Sequence, residues 1–211
     1  PTRLSDNGFY NLEFIYDLTD FVKFGGLQVG ANFRQYEIGF HNGIMSNSPE
    51  LNAEHGPLKP WEYAIFMQGT KWFFSERLKL QGALRFDESD SYGKNISPSF
   101  STVLKAKENH YIRFSFQRAR LNPPLFWSYL HIPQQGYLAI GGGKGNLERL
   151  GLEHLHERAV DIDWATGDTT HVSIPHPTGE KLSAYEFGYK ALVDNNLFFD
   201  VNYYYNYTTN L

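Results

Sequence analysis

Arg77-Leu78-Lys79-Leu80-Gln81-Gly82-Ala83-Leu84-Arg85-Phe86-Asp87 is the stretch that decides the fold. Leu78, Leu80, Leu84 and Phe86 fall on every second residue, with Lys79, Gln81, Arg85 and Asp87 between them. Period-two alternation puts the two sets on opposite faces of a strand. The same pattern recurs along 10–18, 27–34, 61–70, 96–105, 112–119, 184–191 and 197–207. Across the eight segments the 37 positions on the apolar face carry no charge, whereas the 36 on the other face carry 12. Arg118 is set aside as a strand-end residue. Each segment is close to the 9–11 residues that a tilted strand needs to cross a bilayer.

Composition narrows the setting. Rings make up 17% of the chain, and several fall near segment ends on the apolar face: Tyr10, Tyr16, Trp61, Phe86, Tyr203, Tyr205 and Tyr207. Aromatic girdles at the two interfaces mark transmembrane barrels. No run of 18 apolar residues offers a membrane helix, and none of the features of a signal peptide is expected in Pro1–Gly8. Lys and Arg number 19 against 23 for Asp and Glu. A net charge of −4 excludes a basic nucleic-acid-binding surface. With no cysteine there is no disulfide framework and no thiolate chemistry. The expected fold is all-β: an antiparallel transmembrane barrel segment of about eight strands. A soluble β-sandwich shows the same alternation with its apolar face buried in a core, so a soluble all-β carbohydrate-binding domain is the second reading.

Connections alternate in length. Thr19–Phe24, Lys71–Arg77, Ala106–Tyr111 and Val193–Asn196 are short; 35–60, 88–95 and 120–183 form the other set. Outer-membrane barrels have short periplasmic turns and longer extracellular loops. Loops 35–60 and 120–183 are therefore expected outside the cell. Both chain ends then also fall on the extracellular side. Residues 1–211 are accordingly expected to be an internal part of one larger barrel domain.

Few residues invite chemistry. Gly141-Gly142-Gly143-Lys144-Gly145 lacks the Ser or Thr of a phosphate loop and reads as a flexible loop. Asp161, Asp163 and Asp168 lack the spacing of a calcium loop. His154 and His156 are weak metal candidates among the loop histidines His131, His154, His156, His171 and His176. No third ligand is specified by spacing, and neither a metal nor a cofactor is expected. Trp127, Tyr129, His131 and Tyr137 follow Pro123 and Pro124. They are the candidate ligand contacts, as rings that stack on a sugar or grip a peptide; packing of the loop onto itself is the alternative. The charges Glu62, Lys79, Arg85, Asp87, Arg113, Glu186 and Lys190 fit a solvated or salt-bridged lumen wall. No residue is expected to be catalytic.

Three runs resemble a known family. They are Arg77–Asp87, with its continuation through Ser97-Pro98, Lys107–His110, Ile112–Gln117 and Asn122-Pro123; then Tyr185-Glu186-Phe187-Gly188-Tyr189-Lys190; and Asn195–Asn206. Together they resemble the barrel of TonB-dependent outer-membrane receptors, in particular the SusC-like branch with carboxypeptidase-like regulatory domains. Arg120-Leu121 and Pro124 depart from that branch's usual residues. The resemblance implies a 22-stranded barrel in the outer membrane of a Gram-negative bacterium. It implies an N-terminal plug and a TonB box, neither of which lies in this sequence. It further implies active nutrient uptake powered by the TonB complex, and a SusD-like surface lipoprotein as a possible partner. A passive outer-membrane porin or barrel enzyme is the rival within the membrane.

Overall fold

The computed structural model describes residues 7–22, 25–39, 45–135, 137–155, 159–163, 165–173, 177–194 and 196–209. Eight long strands form one sheet: β1 (Gly8–Asp17), β2 (Gly26–Glu37), β3 (Trp61–Phe73), β4 (Leu78–Ser89), β5 (Gly93–Lys107), β6 (His110–Leu121), β11 (Glu180–Val193) and β12 (Leu197–Thr209). Each pairs antiparallel with the next, in the order β1-β2-β3-β4-β5-β6-β11-β12. Four short strands sit in the β6–β11 connection. β7 (His131–Gln134) pairs with β8 (Tyr137–Ile140), and β9 (Ala159–Ile162) pairs with β10 (Thr169–Val172).

Register joins the eight alternations into two faces. Asp17, Gln28, Gln68, Ala83, Ser99, Gln117, Ala184 and Asn206 stand opposite one another in turn, a row across the whole sheet. One residue away, Leu27, Gly69, Gly82, Phe100, Phe116, Tyr185 and Tyr205 form the neighbouring row on the other face. Phe14, Ala31, Ile65, Phe86 and Ile96 form another apolar row. A one-residue slip in any ladder would mix the two faces.

The apolar face is not covered. Leu12 is 72% exposed and Tyr203 66%. The chain's accessible surface is 14,724 Å², against about 10,000 Å² for a compact soluble protein of this mass. That overturns the soluble-sandwich reading, which needs the apolar face inside a core. The architecture is an open stretch of barrel wall, outward face toward lipid and inward face toward a polar lumen.

Strands run further than the alternation suggested. Loop 88–95 shrinks to the turn Asp90–Tyr92, because Glu88 pairs with Lys94 and Ser89 with Gly93. Polar residues continue the ladder beyond the apolar belt, where periodicity no longer marks a strand. On the far side Ala106–Tyr111 shortens to Glu108 and Asn109, with a register shift at Lys105/Lys107.

Ile65 lies in the outward belt and Gln68 in the inward row. In the full-length protein Ile65→Arg is expected to cost about 2–4 kcal/mol, and Gln68→Arg to stay within about 0.5 kcal/mol. Urea unfolding in lipid vesicles measures both; equal costs would show that the faces are wrongly assigned.

Candidate functional site

The inward wall carries paired charges. Arg34 bonds Glu62 at 3.2 Å and Asn11 at 3.3 Å, and Tyr36 also donates to Glu62. Arg85 bonds Asp87 at 2.7 Å. Arg113 reaches Glu186 at 3.4 Å and Asp200 at 3.1 Å, and donates to Asn202. Its side chain crosses Gly188, where a Cβ would collide with Arg113 Nε; the glycine leaves room for that crossing. Lys79 lies over the Trp72 ring and Lys190 over Phe198. The salt-bridged wall anticipated from sequence is present, with Arg34 and Asp200 added to it.

Toward the loop end this wall surrounds a cavity of about 370 Å³ lined by Arg34, Glu62, Arg85, Asp87, Arg120 and Asn122, among others. The β5–β6 ladder ends here at Ser99–Gln117. Beyond it the Arg120 guanidinium donates to the carbonyls of Tyr92, Gly93 and Lys94 at 3.1–3.4 Å. A side chain thus takes carbonyls that the neighbouring strand leaves free. Asn122 Oδ1 is buried with no hydrogen-bond partner among the described residues, an acceptor facing the cavity. Alternation could not single out Arg120 or Asn122, since their roles depend on where one ladder stops.

Above the cavity the two long connections pack against each other. Met45, Leu58 and Tyr129 form the buried cluster, and Met45 bridges Leu130. The Tyr129 hydroxyl donates to Asp90 Oδ2 at 2.8 Å and accepts from Ser91 at 3.0 Å. Tyr92 bonds Ser128 and donates to the Pro123 carbonyl. Burial pushes the Asp90 carboxyl above the usual carboxylate range, outweighing the hydrogen bonds it accepts. Burial likewise raises the Tyr129 phenol, so it remains a donor at neutral pH.

A second anchor is Arg149, at the end of α3 (Lys144–Arg149). Its guanidinium donates to the carbonyls of Ser46, Leu51 and Gly56 and to Asn52 Oδ1. These acceptors lie in and around α1 (Pro49–His55), which Ser48 caps by accepting from Leu51 N–H at 3.2 Å. Ser46 donates to the fully buried Asn146, whose amide donates to Gly141 O. The glycine run 141–145 is therefore not a flexible loop. A Cβ on Gly141 would lie 2.5 Å from three backbone atoms of Trp127, Ser128 and Leu130.

The four candidate contact residues share one loop unit but not one surface. Trp127, in α2 (Leu125–Ser128), is 61% exposed and edge-on to Phe126 at 5.3 Å. Tyr129 is 1% exposed; it packs the loop and contacts a ligand only if the loops part. His131 is half-buried in β7, opposite Ile140. Tyr137 lies in β8 opposite Gln134. His154 is exposed, while His156 and His176 lie outside the described residues. The acidic cluster is turn chemistry: Asp163 accepts from Ala165 N–H, and its backbone closes the β9–β10 hairpin on Asp168 and Gly167.

Residues 2–211 match the family model "TonB dependent receptor-like, beta-barrel". No curated protein matches. Among solved structures, the siderophore receptor PirA of Pseudomonas aeruginosa is 18% identical with a TM-score of 0.61; the alignment covers 95% of this chain and 32% of that one. A variant of the ferric enterobactin receptor PfeA of the same organism gives 15% and 0.64, covering 97% and 27%. The FrpB iron transporter of Neisseria meningitidis gives 15% and 0.55, covering 96% and 28%. The chain spans about a third or less of each.

Tyr129→Phe leaves Asp90 buried with one donor fewer, and is expected to weaken loop docking by about 1–3 kcal/mol. Amide exchange should quicken around 45–58 and 125–130 while the eight strands stay protected; unchanged exchange would mean that apolar packing alone holds the loops. Docking is also expected to tighten on acidification. The raised pKa of docked Asp90 favours docking fully below the ordinary carboxylate pKa, and that contribution is lost as pH rises through the raised value. In Asp90→Asn the pH dependence of the loops' protection against exchange, with intrinsic exchange divided out, should disappear.

Proposed function

Because the chain belongs to the TonB-dependent receptor-like β-barrel family, we propose that it is part of the wall of an active-transport receptor. It lies in the outer membrane of a Gram-negative bacterium. The receptor binds a scarce extracellular nutrient and imports it into the periplasm with TonB-derived energy. The observation that carries this reading is the family match over residues 2–211, on a wall apolar outside and lined with paired charges inside. Its chemistry is binding and gated passage rather than bond-making.

In this reading the ion pairs of Arg34, Arg85 and Arg113 hold a wet, rigid wall against which the receptor's own plug seats. The docked loops narrow the mouth above the cavity. The named solved structures are a siderophore receptor, a ferric enterobactin receptor and an iron transporter, and a bulky polar cargo of that kind fits a polar lumen. Trp127, with its ring exposed, and His131 are the stronger contact candidates; Tyr137 shares their loop, and Tyr129 positions it. Membership of the SusC-like branch, and with it a SusD-like lipoprotein over the loops, rests on the runs in 77–124 and 182–211. Co-purification of a lipoprotein with the full-length receptor in mild detergent tests that finer reading.

Energy dependence tests the main one. Cells producing the full-length receptor should accumulate cargo only with TonB present and the proton gradient intact. Uptake that persists after the gradient is collapsed would identify a passive porin instead.

A further inference from the structure

The β5–β6 pair is open at its loop end. Continued at the same register, its ladder would join Pro98 to Arg118, Ser97 to Ala119 and Ile96 to Arg120, yet the last rung is Ser99–Gln117. Lys105 N–H donates to the Arg77 carbonyl at the end of β4, and antiparallel strands turn alternate residues to alternate neighbours. Even-numbered residues of β5 therefore face β6. Pro98 is the first of them past the last rung, and it has no N–H to give the Arg118 carbonyl. Beyond it the strands part, each still held on its far side. Ile96 stands opposite Phe86 on β4, and Arg120 opposite Lys181 on β11.

Two bare strand edges thus face each other inside a continuous wall. Among the described residues no backbone bond crosses between 94–97 and 119–122. The cavity of about 370 Å³ opens in this gap. Asn95 and Ser97 line it from the inward set, and Arg118 and Arg120, in phase with Phe114 and Phe116, line it as well. Residues of both parities share one cavity where a wall is parted. Arg120 fills part of the missing ladder by donating to the carbonyls of Tyr92, Gly93 and Lys94, and the buried Asn122 Oδ1 lacks a donor among the described residues. A strand edge presents N–H and C=O groups in alternation, and what completes such a row is another extended backbone.

We propose that the β5–β6 fork is a binding slot for a short extended peptide, which enters as a strand between 94–98 and 118–122. Its backbone takes rungs from Ile96 on one side and Arg120 on the other, and the Arg120 guanidinium leaves the Lys94 carbonyl to admit it. Its alternate side chains point to the polar lumen beside Ser97 and to the outward face beside Ile96. A peptide cargo rests on the transport reading for its import alone. Binding is measured without uptake, so the two readings fail separately.

Calorimetric titration of the full-length protein in non-ionic detergent decides it, with the end-blocked pentapeptide acetyl-Thr-Val-Thr-Val-Thr-amide as probe. The expected result is saturable binding, with amide exchange slowed at Ile96 and Arg120. The same peptide N-methylated at both valines loses two rungs and should bind about 30-fold more weakly. Pro98→Val supplies the missing N–H and extends the ladder across the fork, and should weaken the unmethylated peptide by about tenfold or more. Absence of pentapeptide binding, binding that leaves both amides unchanged, equal binding of the methylated peptide or of maltopentaose, or unchanged affinity in Pro98→Val would each overturn the proposal.

Discussion

A strand in lipid has no water to satisfy its backbone, so each N–H and C=O must find a partner on a neighbouring strand. That requirement fixes the rest of this wall. Once the eight long strands are joined edge to edge by antiparallel ladders, strand parity becomes a property of the whole sheet. Phe14, Ala31, Ile65, Phe86 and Ile96 share a row only because four successive registers agree. The charge pattern of the lumen follows from the same parity. Arg34 meets Glu62, and Arg113 meets Glu186 and Asp200, because ladder partners and diagonal neighbours bring those side chains within reach.

Where the ladder stops, side chains take over its work. β5 and β6 part beyond Ser99–Gln117. The carbonyls of Tyr92, Gly93 and Lys94 go to Arg120, and the cavity opens at that fork. The loops above extend the same logic with no sheet to guide them. Arg149 gathers three carbonyls and an amide oxygen around α1, and Tyr129 ties the other loop to the Asp90 turn. These buried polar contacts are directional, so they select one docked arrangement where Met45 and Leu58 alone would accept several.

The barrel was legible in the sequence because period two is a local property. All eight membrane strands follow from residues such as Leu78, Leu80, Leu84 and Phe86, with no knowledge of the neighbours. Strand ends were not legible. Beyond Asp87 the belt gives way to polar residues: Glu88, Ser89 and Lys94 remain paired, yet carry no apolar signal. The loop site was less legible still. Tyr129 and Trp127 are both large aromatic residues two positions apart, and only the packing of Met45 and Leu58, distant in the sequence, separates the buried ring from the exposed one. The glycines at 141 and 143 suggested flexibility because close backbone approach leaves no mark in one dimension; Gly141 is a contact surface for Ser128 and Leu130.

Arg118 shows how the two kinds of information combine. Alternation alone made it an exception, a cation in phase with Phe114 and Phe116, and so a residue to leave out. The register places it opposite Ser183 and diagonal to Lys181, a cation equally out of character with Phe187 and Tyr189 below it. Two exceptions on separate strands that meet at one height mark a change of solvent rather than two irregularities. Below them the outward face is selected for hydrocarbon, and at their level for charge. The upper limit of the apolar belt can therefore be read at this corner from side-chain chemistry and pairing alone.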